Sequence, residues 1–518
     1  MESMNPEPIP QNPSFPPAVP ASRHFPSGKR EFLYALVVLI CGCFLCNSVF
    51  YGGLNLGFAL FTAIILAATV LYLISRGCKP SAYSIVLLVC SLVILGTFAR
   101  GSDAGVNFVL FCFLVLSVNL SLSLLAGQNR RNPKGFLSLL DAPRTVFMLG
   151  VGEASPAFKG LKRGFQQSSV VSKKFGAVGV GLLLSIPLLV AVISLLIKAD
   201  AAFDGLLQNL PDWDMTELVT SVLFGFLLAC YFYTRGTALC HSPKPKPDTH
   251  ERKGMNPLTV NTVLIAVGIV YVVYLISQLA YFSGGFSGIL PEGYTVAQYA
   301  RRGFFEMAWL CVINLGIIAL AVGLTSAKGA SPLLTKLLCL FLGIVTLFLV
   351  VSASAKMFIY IDAYGLTRLR VLTEVIMIWL GLSTIIVCVW LFLPKLAYMK
   401  IILVLALVMG AAVGWADVDT VVARYNVNAY LSGKLATVDV NYLGTLGSGA
   451  TPYIQKLIDD PNAEIYVPAR VNTYSREDSG NAVEDFRDWN YADHLSDSLL
   501  FPDKKKITPD ANASGVFI

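Results

Sequence analysis

The chain has 518 residues, of which 55% are hydrophobic and only 14% are charged, and its formal net charge is +7. A soluble domain carries about 25% charged residues, so this composition, with a mean hydropathy of +0.66, excludes a water-soluble globular protein. Apolar runs of roughly 18 or more residues can cross the hydrocarbon core as helices, which satisfy their own backbone hydrogen bonds in lipid. The predicted fold class is therefore all-α, a polytopic transmembrane helical bundle of about eleven spans with a small C-terminal extramembrane domain.

The N-terminal segment, 1–31, is rich in proline and carries Lys29 and Arg30 just before the first apolar stretch. Such a composition cannot bury a core, and we expect the segment to be disordered. Its polar start is unlike that of a cleaved signal peptide. The first apolar stretch is therefore expected to act as an uncleaved anchor.

The predicted transmembrane domain, 32–416, consists of apolar stretches separated by short charged loops. Spans one to eleven are predicted, in chain order, at 32–50, 54–75, 82–99, 105–126, 175–197, 217–234, 258–281, 303–325, 333–353, 371–393 and 396–415. Spans three and six are the shortest.

Charge in the loops predicts how the spans are oriented, because Lys and Arg favour the cytoplasmic side. The loop at 127–174 has nine basic residues against two acidic ones, and the loop at 235–257 is also basic. The loop at 198–216 has four aspartates and one lysine. We therefore expect a multi-pass protein of the cell membrane with a cytoplasmic N-terminus and an extracytoplasmic C-terminal tail.

The tail, 417–518, changes composition and has a formal charge of −6, which leaves +13 for the rest of the chain. This basic excess is expected to face anionic membrane lipids and not nucleic acid. Helical spacing predicts a first tail helix at 418–431 and short helices at 452–458 and 484–500. Its aromatic residues predict that the first part of the tail, 417–460, packs on the outer face of the bundle near spans eight and ten.

Charged and polar residues gather at the starts of spans eight and ten. The candidate polar cluster comprises Arg301, Arg302, Glu306, Lys356, Asp362, Tyr364, Arg368, Arg370 and Glu374. Arg302 and Glu306 are four residues apart, as are Arg370 and Glu374, so each pair would share one helix face and could form an ion pair. We expect Arg302, Glu306, Arg368, Arg370 and Glu374 to form one partly buried cluster. Ionisable residues within spans are functional candidates, although a purely structural network at the headgroup level remains the alternative.

Several segments resemble a bacterial membrane family known as domain of unknown function 4173, a relative of family 4153. The resemblance covers roughly residues 85–492 and rests on the stretches Tyr299–Glu306, Ala363–Arg370, Val421–Asn426, Tyr430–Lys434, Val438–Leu443 and Trp489-Asn490. Residues 446–449 depart from the family, which is more often acidic there. The resemblance implies a bacterial inner-membrane protein, and it implies neither an activity nor any catalytic residue.

The sequence predicts no catalytic residue, no cofactor and no metal site. The four histidines lie outside every predicted span and form no H-E-x-x-H pattern, and Cys41 and Cys43 would point to different helix faces. Three function classes stay open: a membrane scaffold or sensor whose outward tail binds an envelope protein, a transporter or lipid-handling protein that uses the Arg/Glu cluster, and a membrane transferase. The non-enzymatic scaffold or sensor is favoured, because polar residues lie mainly at span ends and not at the midplane.

Overall fold

The computed structural model describes residues 28–129, 141–159, 215–245, 255–285, 304–324 and 333–460, with isolated positions at 25, 185, 188, 192, 196 and 491. Of these described residues, 84% are helical and none forms a strand, so the predicted all-α class is confirmed. Nine helices within these ranges are long and apolar enough to cross a membrane. Predicted span five, 175–197, lies almost entirely outside the described residues.

The first group of helices contains spans one to four and span six. They are α1 (Lys29–Asn47), α2 (Leu56–Ser75), α3 (Ala82–Phe98), α4 (Ala104–Ala126), the shorter α5 (Asp141–Gly150) and α6 (Met215–His241). The side chains of Ser81 and Ser84 form a capping box at the start of α3, and Gly127 ends α4 with φ 67°, as helix-terminal glycines do.

The second group of helices contains spans seven to eleven. They are α7 (Pro257–Gly285), α8 (Phe304–Leu324), α9 (Leu333–Tyr364), α10 (Arg368–Phe392) and α11 (Tyr398–Ala416). Residues of α7 to α10 share one hydrophobic core, and those of α1 to α4 share another. Because α11 contacts α3, α4 and α10, it joins the two groups.

Two helices extend furthest beyond the predicted spans. Span six was predicted to end at 234, with Arg235 in a cytoplasmic loop, but α6 continues to His241. Arg235 is buried inside the bundle, where it donates a hydrogen bond to Asn119 of α4. Span nine was predicted to end at 353, but α9 continues to Tyr364. Lys356 and Asp362 therefore belong to the last turns of α9 and not to the start of span ten.

Helices inside the bundle contact each other through small residues and amide side chains. This is expected in a membrane, where the hydrophobic effect does not drive helices together and close packing and hydrogen bonds do. A Cβ atom added to Gly42 would lie 3.1 Å from the carbonyl oxygen of Gly225, so α1 and α6 approach closely at these glycines. Tyr271 of α7 donates a 2.8 Å hydrogen bond to Asn314 of α8, which donates a 3.1 Å bond to Thr346 of α9. These two bonds link three neighbouring helices inside the bundle.

Glu31 is a buried acidic residue at the start of α1. It lies at the opposite end of the bundle from Asp103, which precedes α4. Glu31 of α1 is 1% exposed and forms an ion pair with Arg76 at the end of α2. The Tyr72 hydroxyl donates a 3.1 Å hydrogen bond to Glu31 and lies 3.3 Å from Nε2 of His241. We call this group the Glu31 cluster. It was not predicted from the sequence, which places Glu31 in the disordered N-terminal segment and His241 in a loop.

The tail begins with three helices, α12 (Val418–Leu431), α13 (Val440–Leu443) and α14 (Thr451–Ile458). Their apolar side chains form a small core that also contacts Leu366 and Leu372 of the α9–α10 region. The main helix contacts of α12 outside the tail are with α10 and α11. The contact with α10 agrees with the predicted packing near span ten, whereas packing near span eight and the position on the outer face stay predictions. The helix α14 matches the helix predicted at 452–458. The helix predicted at 484–500 lies outside the described residues except for Tyr491.

Candidate functional site where the tail meets the helix bundle

The residues of the predicted polar cluster are distributed along three helices. Arg301 and Arg302 lie outside the described residues, Glu306 is in the first turn of α8, Lys356, Asp362 and Tyr364 are in α9, and Arg368, Arg370 and Glu374 are in α10. Glu306, Asp362 and Tyr364 are exposed, whereas the other described members are partly buried. The predicted pair of Arg302 and Glu306 therefore stays a prediction.

The short connection between α9 and α10 creates the docking point for the tail. Gly365 ends α9 with φ 73°, a backbone conformation that residues other than glycine rarely adopt. Thr367 caps α10 by accepting a hydrogen bond from the Arg370 backbone amide. Leu366 lies between Gly365 and Thr367. Its backbone N–H donates a 2.7 Å hydrogen bond to the side-chain oxygen of Asn426, and the side-chain nitrogen of Asn426 donates a 2.9 Å bond to the Leu366 carbonyl. The two bonds hold α12 against the connection in a fixed register.

Arg368 is the central residue of the junction. Its Nη2 donates a 2.6 Å hydrogen bond to Oδ2 of Asp419, and its Nε bonds to the other carboxylate oxygen. Its Nη1 lies 3.2 Å from Oδ1 of Asp103 in the α3–α4 loop. Bidentate arginine–carboxylate contacts are strong and geometrically specific. One guanidinium therefore connects the tail, α10 and the α3–α4 loop.

Further tail residues enclose the Arg368 contact. The Tyr442 hydroxyl accepts a 2.8 Å hydrogen bond from the Arg368 amide, and the Thr445 carbonyl accepts a 3.2 Å bond from the guanidinium. Asp419 also accepts a 2.8 Å bond from the Gly447 amide. Residues 442–447 are therefore held at the same point as α12. We call the group of Asp103, Arg368, Asp419 and Tyr442 the Arg368 junction.

An exposed ion pair forms a second tie between α9 and the tail. Lys434 Nζ lies 2.8 Å from Oδ1 of Asp362 and 5.8 Å from the centre of the Tyr425 ring. Both charged side chains are more than half exposed, and exposed ion pairs contribute little to stability. The hydrogen bond that Lys434 donates to Asp362 raises the pKa of Lys434. This pair orients the end of α12, and the buried contacts of Arg368 carry more of the docking energy.

The predicted ion pair between Arg370 and Glu374 is not formed. The Arg370 guanidinium instead lies 3.9 Å from the centre of the Tyr360 ring and donates to the carbonyls of Tyr364 and Gly365. Its side chain is thus directed toward the preceding loop, away from the next turn of α10. One oxygen of Glu374 is buried without a hydrogen-bond partner among the described residues. The described members consequently do not form the single cluster expected: Arg368 faces the tail, and Arg370 faces α9.

The structure adds two acidic partners that were not assigned from the sequence. Asp103, Asp419 and Arg368 all lie at span ends on the same side of the membrane in the predicted topology. This shared side was the available signal that the two aspartates could contact Arg368. Asp417 is a further buried acid, with φ 52°, the one positive value among the described non-glycine residues. It accepts a 2.5 Å hydrogen bond from Thr420. A Cβ atom added to Gly449 would collide with this carboxylate, so the glycine permits the close approach of residues 447–450.

Asp417 makes the docking of the tail depend on pH. Burial, the largest effect, raises the pKa of its carboxyl above the ordinary 3.8, and the hydrogen bond from Thr420 opposes this effect. The folded state therefore binds the proton more tightly than the unfolded state. The contribution of Asp417 to the free energy of unfolding is fully favourable below the ordinary pKa of the carboxyl, and it is lost as the pH rises through the folded-state pKa.

We expect Asp417→Asn to stabilise the docked tail near neutral pH, by about 1.4 kcal/mol for each unit by which folding raises the pKa. The variant removes the buried charge, and asparagine tolerates the positive φ. Urea unfolding in detergent at pH 7 and pH 4 measures the difference, which should shrink in acid. Asp459→Asn, at an exposed tail position, is the matched control. An advantage of Asp417→Asn that is equal at both pH values would contradict this expectation.

The fold and composition define the class of this protein: it is a multi-pass α-helical membrane protein. Comparison with known families gives a match to the family described as Domain of unknown function (DUF4153), over residues 31–457. The chain belongs to this family, and the matched region includes both the helix bundle and the tail as far as α14. The match does not extend to the related family 4173, for which the resemblance stays a prediction. No curated protein and no solved structure matches the chain.

Proposed function

We propose that this membrane protein is a non-enzymatic scaffold or sensor whose extracytoplasmic tail binds an envelope protein and transmits binding to the helix bundle. The observation that carries the proposal is the Arg368 junction, in which Arg368 contacts both Asp103 and Asp419. A partner that displaced or tightened the tail would change contacts on α10 and on the α3–α4 loop together. Coupling of this kind requires that the tail contact differ between two states.

The position of the tail supports the proposed sidedness. The Arg368 junction includes Asp103, which precedes α4, whereas Gly127 at the other end of α4 lies near Lys244. At 23 residues, α4 is about 34 Å long, enough to cross a hydrocarbon core of about 30 Å. The tail and Lys244 therefore belong on opposite sides of the membrane. The basic loops around Lys244 favour the cytoplasm for that side.

Labelling in intact cells tests the sidedness. Lys456→Cys, exposed on α14, should react with a membrane-impermeant maleimide in intact cells. Lys244→Cys, also exposed, should react only after permeabilisation, and the wild-type chain supplies the background from its own cysteines. The reverse labelling pattern would overturn an outward tail.

Photo-cross-linking tests the binding role. A photoreactive residue at Arg424, exposed on α12, should form adducts with a discrete envelope protein, and one at Lys244 should not. The adduct at position 424 should weaken when Arg368→Gln undocks the tail. Identical adducts at the two positions would contradict the scaffold or sensor proposal.

The alternative of a transporter or lipid-handling protein that uses an Arg/Glu cluster has less support. Among the described residues, Glu306 is exposed and Glu374 has no arginine partner, so the one predicted Arg/Glu pair that lies wholly within them, Arg370 with Glu374, is not formed. Arg370 lines a cavity, and lipid contact there would not depend on an Arg/Glu pair.

A further inference from the structure

A cavity of about 190 Å³ lies where the first turns of α8 and α10 meet the end of α9. The apolar part of its wall includes Phe304 and Phe305 of α8, Met357 of α9 and Leu369 of α10. The polar part of the wall includes Arg370 of α10. The cavity is therefore an apolar chamber with a cation on its lining, and none of the residues named as lining it belongs to the tail.

Arg370 carries a positive charge that no carboxylate neutralises within the described part of the chain. Its Nη1 donates to two backbone carbonyls and its guanidinium stacks on Tyr360, so the side chain is held in place. Its Nε and Nη2 have no hydrogen-bond partner among the described residues. Two fixed donors next to an apolar cavity suit an anion that carries an apolar chain.

The position of Arg370 in the bundle matches the headgroup level of a bilayer. With 25 residues, α10 is about 37 Å long, whereas the hydrocarbon core is about 30 Å thick. The first turn of α10 therefore lies at the boundary of the core. Leu369 and Phe305, on the wall of the cavity, are 61% and 53% exposed, which places apolar surface beside the cation, where lipid chains would lie.

The volume of the cavity limits what it can hold. Pockets for small molecules measure roughly 300–1,000 Å³, so this cavity can enclose only part of a ligand. A phospholipid fits this limit, because most of its chains would remain in the bilayer. We propose that the cavity binds an anionic phospholipid, with the phosphate on Arg370 and the upper part of one acyl chain against Phe304, Phe305 and Met357. This inference is independent of the proposed tail function.

Lipid binding to the full-length protein in a neutral detergent tests the inference by native mass spectrometry. The probes are phosphatidylglycerol, phosphatidylcholine and glycerol phosphate, which separate an anionic lipid from a zwitterionic lipid and from a soluble phosphate. Wild type should bind phosphatidylglycerol most tightly. Arg370→Gln should weaken that binding about tenfold or more, since hydrogen bonds to charged groups are among the strong ones. Arg424→Gln, which removes an exposed arginine from α12, should leave it unchanged.

A second variant keeps the test informative if Arg370→Gln fails to fold. Leu369→Gln retains every contact of Arg370 and makes the cavity wall polar, so it should weaken phosphatidylglycerol while leaving any glycerol phosphate binding unaffected. Equal phosphatidylglycerol affinity in wild type and both cavity variants would overturn the site. Binding of phosphatidylcholine as tight as that of phosphatidylglycerol would overturn the role of Arg370. Competition by glycerol phosphate at the same concentration as phosphatidylglycerol would show a soluble phosphate as the ligand and overturn the lipid.

Discussion

Arg368→Gln is expected to release residues 418–458 from the bundle, at a cost of about 3 kcal/mol. The substitution leaves Asp419 buried without a counter-charge, and removal of one partner from a buried pair is strongly destabilising. We place the cost at the lower end of the known range because the Arg368 side chain is 27% exposed, which lets water reach the site. Hydrogen exchange of α12 to α14 in detergent measures the effect, since undocked helices lose their protection.

A double-mutant cycle gives the control for this prediction. Asp419→Asn combined with Arg368→Gln removes both charges, so the pair should recover much of the loss, with a coupling energy of about 0.5–3 kcal/mol. Arg424→Gln, at an exposed position of α12, should change exchange very little. Unchanged protection of the tail in Arg368→Gln would show that the Arg368 junction does not hold the tail in place.

Arg76→Gln should destabilise the first helix group by about 3–5 kcal/mol, the largest loss that we expect from one side chain. It removes the ion-pair partner of Glu31, which is 1% exposed and whose second oxygen already has no hydrogen-bond partner within the described part of the chain. The bond from Tyr72 alone cannot compensate a buried carboxylate. Thermal unfolding in detergent should show a lower midpoint, together with faster hydrogen exchange in α1 and α2.

Matched variants separate the effect of the buried pair from a general loss of charge. Lys79→Gln removes an exposed cation three residues further along the same loop and should alter the midpoint very little. Glu31→Gln together with Arg76→Gln should be more stable than Arg76→Gln alone. If the losses of the two single variants simply add, the two side chains do not act as a pair.

The amino-acid sequence predicts the membrane class and most helix positions because both depend on local properties. An apolar run partitions into lipid by its composition, and the predicted spans at 54–75 and 105–126 agree with α2 and α4 within two residues. The helical spacing of 418–431 predicts α12 for the same reason. The ends of α6 and α9 were missed, because charged residues there stay helical once other parts of the fold supply their partners, as Asn119 does for Arg235 and Lys434 does for Asp362.

The contacts of the charged residues were decided by tertiary structure alone. A four-residue spacing places Arg370 and Glu374 on one helix face, but the carbonyls at Gly365 and the ring of Tyr360 offer the guanidinium a better position. Arg368 meets Asp103 and Asp419 only because α10, the α3–α4 loop and α12 converge there. Helix formation is local along the chain, whereas ion-pair choice depends on which helices are neighbours, and that arrangement is set by the packing of the whole bundle.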